Sequence, residues 1–136
     1  MSKQVLDVQQ MQHLQELGLD TRNASMCWIK DTEGNQHLSV HDEYCYEASF
    51  MHPIPAYTLQ DVLDALPKEI MYENKRCWAS IDLEDGFIGY YYENYSLYYK
   101  WAYFEAVMKD ESLIDAAYEL LVWTIEQGYV ETNKNE

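Results

Sequence analysis

Glycine, proline, cysteine and basic residues are all scarce in this 136-residue sequence. It has five glycines and three prolines, and it contains neither a glycine-rich phosphate-binding loop nor a linker long enough to separate two domains. The three cysteines are widely spaced and odd in number, which fits reduced, mostly buried thiols rather than a disulfide framework. No apolar run approaches the roughly 18 residues of a membrane span, and the N-terminus lacks the apolar core of a signal peptide. The sequence therefore predicts a cytoplasmic protein with no membrane contact.

The shortage of basic residues gives the chain a strong negative charge. Nine basic residues stand against 24 acidic ones, for a formal net charge of −15. Such a charge argues against direct binding of nucleic acid or of an anionic membrane, because like charges repel. It leaves open a basic protein partner. A sharper form of this hypothesis is an inhibitor that presents carboxylates in place of DNA phosphates.

Apolar and aromatic residues are abundant enough for one hydrophobic core. Apolar residues make up 48% of the chain, with 13 tyrosines and four tryptophans among them. This length and composition predict a single globular domain over residues 1–136, with a frayed polar tail from about residue 132.

The clearest helix pattern lies at 112–128. Ser112 is a good N-cap, and Asp115 suits the positive end of the helix dipole. The apolar positions form a wide stripe, and Gly128 can take the left-handed conformation that ends a helix. We interpret this segment as a core helix packed on a sheet.

Apolar periodicity predicts seven further elements. The expected helices are 2–17 and 59–66, and the expected strands are 24–30, 36–40, 75–83, 87–92 and 95–104. Leu38 and Val40 are expected to face inward, Met71 to pack into the core, and 41–56 to be an irregular connector. The order α-β-β-α-β-β-β-α predicts an α+β fold: an antiparallel sheet of four to five strands with about three helices, mainly on one face.

The first candidate site is the tyrosine-rich pair of strands near the C-terminus. Strands turn alternate residues to opposite faces, so rings must occupy both faces, and the uncovered face would suit a partner. Tyrosine also favours strands without any such role. Carboxylates near the turns adjoin these rings, and we interpret them as ordinary solvated turn residues rather than as an acid–base pair or a cation site. The predicted interaction surface comprises Tyr90, Tyr92, Tyr95, Tyr99, Trp101, Asp82, Glu84, Asp85 and Glu93.

The spacing of His37, His41 and Cys45 is the second candidate. On a helix, residues four apart would align as zinc ligands. On the strand and connector predicted here they would be spread apart, so we predict no metal site. The chain also lacks the Gly-x-Ser-x-Gly, Cys-x-x-Cys and His-Glu-x-x-His motifs, and we expect neither catalytic residues nor a cofactor.

Two segments carry a resemblance to known sequences. PAYTLQDVLDALPKEI at 55–70 and SLIDAAYELLVWTIEQGYV at 112–130 are similar to segments of small uncharacterised proteins of gut Bacteroides-type bacteria and their prophages or mobile elements. The resemblance covers about a quarter of the chain and rests on structural motifs. It implies a phage-associated or mobile-element accessory protein and no activity.

Three functional hypotheses follow from the sequence. The leading one is a non-enzymatic, acidic interaction or accessory protein. The alternative is a small ligand-binding domain or enzyme that uses the tyrosine-rich sheet and Asp82, Glu84 or His41. A homodimer formed through the exposed tyrosine face is the third.

Overall fold

The computed structural model describes residues 3–41, 52–82, 87–93, 99–107 and 112–133, and gives the backbone alone for residues 82, 87, 92, 93 and 99–107. The α+β class is confirmed, with three helices in the part of the chain described. The elements in chain order are α1 (Val8–Glu16), β1 (Met26–Lys30), β2 (Gln36–Val40), β3 (Ile54–Ala56), α2 (Leu59–Ala65), β4 (Glu69–Tyr72), β5 (Lys75–Asp82), β6 (Phe87–Glu93), β7 (Tyr99–Val107) and α3 (Leu113–Glu126).

The strands form two antiparallel sheets, so the prediction of one sheet was wrong. One sheet has the order β2-β1-β3 and the other β4-β5-β6-β7. Strands β3 and β4, which are three and four residues long, were not expected from the sequence. Pro55 is tolerated in β3 because that strand lies at the edge of its sheet, where a missing N–H breaks no ladder.

Helix α1 begins later than predicted. Asp7 is its N-cap, and the Asp7 side chain accepts a hydrogen bond from the Gln10 backbone while the Gln10 side chain reciprocates. The residues before it are extended: the Leu6 N–H donates to the Tyr57 carbonyl at 2.9 Å. Pairing with a distant segment therefore replaces the first two turns of the predicted helix.

Helix α3 matches its prediction closely and packs on the four-stranded sheet. Ser112 caps it, and Gly128 follows its end with a φ of +81°. Its apolar stripe meets Ile70, Ile88 and other buried residues in the main core. Among the residues described, no helix combines the length and apolar character needed to cross a membrane.

Three predictions of burial were wrong. Leu38 and Val40 are 37% and 59% exposed, and Met71 is 59% exposed. All three lie on β2 or β4, and each of these strands is at the edge of its sheet. An edge strand has one neighbouring strand to cover its side chains, so alternation alone does not decide whether an apolar residue is buried.

Candidate interaction surface

One face of the four-stranded sheet carries the aromatic surface of interest. Alternation along β4, β5 and β6 turns Ile70, Cys77 and Tyr90 into the core. The residues between them point the other way, away from α3, and we call them the outer face: Glu69, Met71, Arg76, Trp78 and Tyr91. The antiparallel register aligns Glu69, Trp78, Tyr91 and Trp101 in one row across all four strands.

The outer face combines two rings in tilted contact with one pair of opposite charges. The Trp78 and Tyr91 ring centroids are 5.9 Å apart at an interplanar angle of 44°. The Arg76 guanidinium lies 5.8 Å from the Trp78 ring centroid, within the range of a cation–π contact, and also forms an ion pair with Glu69. Met71 projects beside them and is mostly exposed. The described side chains of this face are thus mainly aromatic or apolar, and their two charges offset each other.

Tyr90 belongs to the core, which corrects its place in the predicted surface. It has 0% exposure, and its hydroxyl donates to the Pro67 carbonyl at 2.6 Å. Its ring centroid lies 6.4 Å from that of Trp123 on α3. Burial raises the pKa of the Tyr90 hydroxyl well above its ordinary value. An exposed partner surface therefore does not include it.

For the other residues of the predicted surface, the structure gives the backbone position alone, or they lie outside the described residues. Asp82 ends β5, Tyr92 and Glu93 end β6, and Tyr99 begins β7 opposite Glu93. Glu84, Asp85 and Tyr95 lie outside the described residues.

Sequence reasoning left Met71, Arg76, Trp78 and Tyr91 out of the predicted surface. Trp78 had a usable signal, since it alternates with Cys77, which the sequence predicts as a buried thiol. Tyr91 had none, because both of its neighbours were assigned to the predicted surface. Met71 and Arg76 had none, because β4 was not expected and its pairing with β5 defines their position.

Several of the few basic side chains are engaged by neighbouring carboxylates. Lys3 Nζ lies 2.7 Å from an Asp115 oxygen and 3.6 Å from an Asp7 oxygen, and Arg22 lies 2.7 Å from Asp20. The side-chain hydrogen bond from Arg22 lowers the pKa of Asp20 to about 2. Burial would raise the pKa of Asp115, but hydrogen bonds, first that from Lys3, lower it. Because these cations are paired with individual carboxylates, they do not neutralise the remaining acidic side chains.

The two histidines of the zinc hypothesis have separate partners. His37 Nε2 lies 2.8 Å from Asp31 Oδ2, and His41 Nδ1 lies 2.9 Å from the Ala24 carbonyl oxygen. The hydrogen bond with His37 is the main cause of the lowered pKa of Asp31. Cys45 lies outside the described residues, among which no three metal-ligating side chains come together.

A cleft of about 290 Å³ lies between α2, α3 and the inner face of the four-stranded sheet. Its lining is mainly apolar and includes Leu63, Ile88 and Leu120, with Lys68 and Ser80 as its polar members. The volume is at the lower end of the range for small-molecule sites. The cleft could hold a small apolar molecule with one anionic group.

Comparison with known proteins finds no relative of this chain. No family model matches the chain, and neither a curated protein nor a solved structure does.

Proposed function

We propose that this chain is a non-enzymatic interaction protein that contacts a protein partner through the outer face of its four-stranded sheet. The observation that carries the proposal is the exposed Met71 beside the Trp78–Tyr91 ring pair and Arg76. Aromatic residues, Met and Arg are the residue types enriched at the cores of protein interfaces. A sheet face of this kind suits a protein surface better than it suits a small substrate, which requires a concave site.

The net charge of the chain supports a second part of the proposal, which concerns the charge of the partner. A net charge of −15 would favour a partner with a basic rim around the contact, and mimicry of DNA is the extreme form of that arrangement. An accessory role in a prophage or mobile element remains the prediction of the sequence resemblance. Binding by the apolar outer face should persist at high salt, whereas binding by carboxylates should be lost.

Two matched variants test the outer face. Met71 and Val40 are both 59% exposed and both lie on edge strands, but in different sheets. Met71→Glu and Val40→Glu therefore add the same charge at equal exposure, and only the first places it on the outer face. Each variant and the unaltered protein would be immobilised and exposed to a bacterial lysate at low and high salt. Captured proteins would then be identified by mass spectrometry.

We expect capture of a defined protein by the unaltered chain and by Val40→Glu, and its loss with Met71→Glu. Circular dichroism checks that both variants are folded. Equal capture by all three chains would show that the outer face is not the contact. Binding that disappears at high salt in all three would favour the carboxylates instead.

The cleft favours a second candidate function, the binding of a small apolar carboxylate near Lys68. A ligand bound there would raise the melting temperature of the protein, and the rise would increase with the logarithm of the ligand concentration above Kd. Lys68→Gln should weaken that effect, while Lys75→Gln, an exposed change at the start of β5 and outside the cleft lining, should not. The absence of any shift across a series of medium-chain carboxylates would count against this function.

A further inference from the structure

We propose that the partner of the outer face is a second copy of this chain, packed sheet against sheet about a two-fold axis. The inference rests on the proposed function, because it names the partner of the same surface. Three observations support it: the charge of the five residues, their self-complementarity, and the geometry and extent of the face.

The first observation is that the five residues of the outer face carry no net charge; the acidic positions of the same alternation, Asp82 and Glu93, lie at the ends of β5 and β6. Two chains of net charge −15 repel each other, so self-association requires a surface without excess charge. On the outer face Glu69 and Arg76 form an ion pair, and Met71, Trp78 and Tyr91 are uncharged. A basic partner would gain little from these five residues, whereas the same five residues of a second copy would not be repelled by them.

The second observation is that the face contains its own complement. In a two-fold dimer the same patch meets itself, so it must contain both members of each favourable contact. Glu69 and Arg76 carry opposite charges on neighbouring strands, and a two-fold axis between them would bring Arg76 of each copy to Glu69 of the other. Met71 and Trp78 occupy the other diagonal of the same four residues, so that axis would place each of them beside its own counterpart in the second copy.

The third observation concerns geometry and extent. Face-to-face packing of two twisted sheets is a common arrangement in β proteins. The outer face has five described residues, against about 20–30 residues per partner in a standard interface. We therefore expect a weak, reversible dimer whose population depends on protein concentration.

Sedimentation velocity from about 5 to about 500 μM protein measures this equilibrium. We expect a shift from monomer to dimer across that range and a larger dimer fraction at high salt, because salt screens the repulsion between the two acidic chains. Met71→Glu should weaken dimerisation at least about tenfold, as expected for a charge buried in an interface, and Val40→Glu much less. Dimerisation that weakens with salt would contradict a contact through the neutral face.

Charge reversal provides a sharper test of the two-fold arrangement. Glu69→Arg makes both charged positions of the face basic, and Arg76→Glu makes both acidic. Each variant alone should remain monomeric, and an equimolar mixture should form a heterodimer, because complementary charges then meet across the interface. Circular dichroism of each variant separates loss of dimerisation from loss of folding.

The outcomes separate this inference from the proposed function. If the unaltered protein stays monomeric at the highest concentration, or if the mixed variants do not associate, the homodimer is overturned. In that case a different protein that is captured by the unaltered chain and lost with Met71→Glu still supports the proposed function. If neither dimerisation nor Met71-sensitive capture is observed, both proposals fail.

Discussion

Two adjacent tyrosines on β6 face opposite sides of the sheet and have different roles. Tyr91 stacks on Trp78 at the outer face, while Tyr90 is fully buried with its hydroxyl on the Pro67 carbonyl. A buried polar group costs free energy unless it is hydrogen-bonded. We therefore assign Tyr90 to stability, while Tyr91 belongs to the surface of the proposed function.

Replacing Tyr90 with Phe tests this division. The change removes one buried hydrogen bond, and we expect the free energy of unfolding to fall by about 1–2 kcal/mol, without loss of the proposed dimer. Tyr129→Phe is the matched control, since its hydroxyl also donates to a carbonyl, that of Met71, but in an exposed setting. Urea unfolding should show a smaller loss for the control. Equal losses of unfolding free energy in the two variants would mean that burial does not determine how much a tyrosine hydrogen bond contributes to stability.

Among the secondary-structure elements, helix α2 is connected to the segment before β1 by hydrogen bonds to one carboxylate. Asp61 lies in the first turn of α2 and is mostly buried. Its oxygens accept hydrogen bonds from the Ser25 N–H at 2.9 Å, the Ser25 hydroxyl at 2.6 Å and the Thr58 N–H at 3.0 Å. Burial would raise the pKa of Asp61, but these hydrogen bonds outweigh it and lower the pKa.

A lowered pKa makes this contribution depend on pH. The stabilisation from Asp61 is complete above its unfolded pKa, about 3.9, and is lost as the pH falls through the lower folded value. Asp61→Asn should cost about 1–3 kcal/mol at pH 7 and lose less stability on acidification than the unaltered protein. Urea unfolding at pH 7 and at about pH 3 measures both effects.

The control for this prediction is Asp64→Asn on the same helix. Asp64 is exposed and accepts a hydrogen bond from Gln60 at the surface. Its replacement should change stability by less than about 0.5 kcal/mol. A pH response of Asp61→Asn identical to that of the unaltered protein would remove Asp61 as a source of acid sensitivity.

At the scale of the whole molecule, the net charge opposes folding. Exposed carboxylates occur on several elements, while the cations Lys3, Arg22 and Arg76 are each bound to local carboxylates. Exposed ion pairs of this kind contribute little to stability. The remaining negative charges repel one another in the compact state.

Salt should therefore stabilise the protein. We expect the melting temperature to rise by a few degrees between about 20 and about 300 mM NaCl, because screening weakens the repulsion more than it weakens the few ion pairs. The measurement would use the Met71→Glu background to keep self-association out of the result. Replacing exposed Glu33, Glu126 and Glu131 with Gln should raise the melting temperature at low salt and reduce its salt response. A melting temperature that falls with salt would show that the ion pairs dominate.

Much of the local structure was predictable because its signals are local. The cap at Ser112, the apolar stripe and Gly128 together define α3, and all lie within one segment of chain. The strand at 36–40 was located exactly, and the strands at 75–83 and 87–92 to within one residue. Composition, charge and periodicity thus determined the fold class and most elements.

The tertiary structure alone decided how those elements combine. The short strands β3 and β4 are defined by pairing with β1 and β5, which periodicity within a few residues does not reveal. Alternation identifies the residues that share a face, but the position of α3 decides which face is covered. For that reason Tyr90 is in the core, while Met71, Arg76 and Trp78 make an outer face that the sequence did not assign.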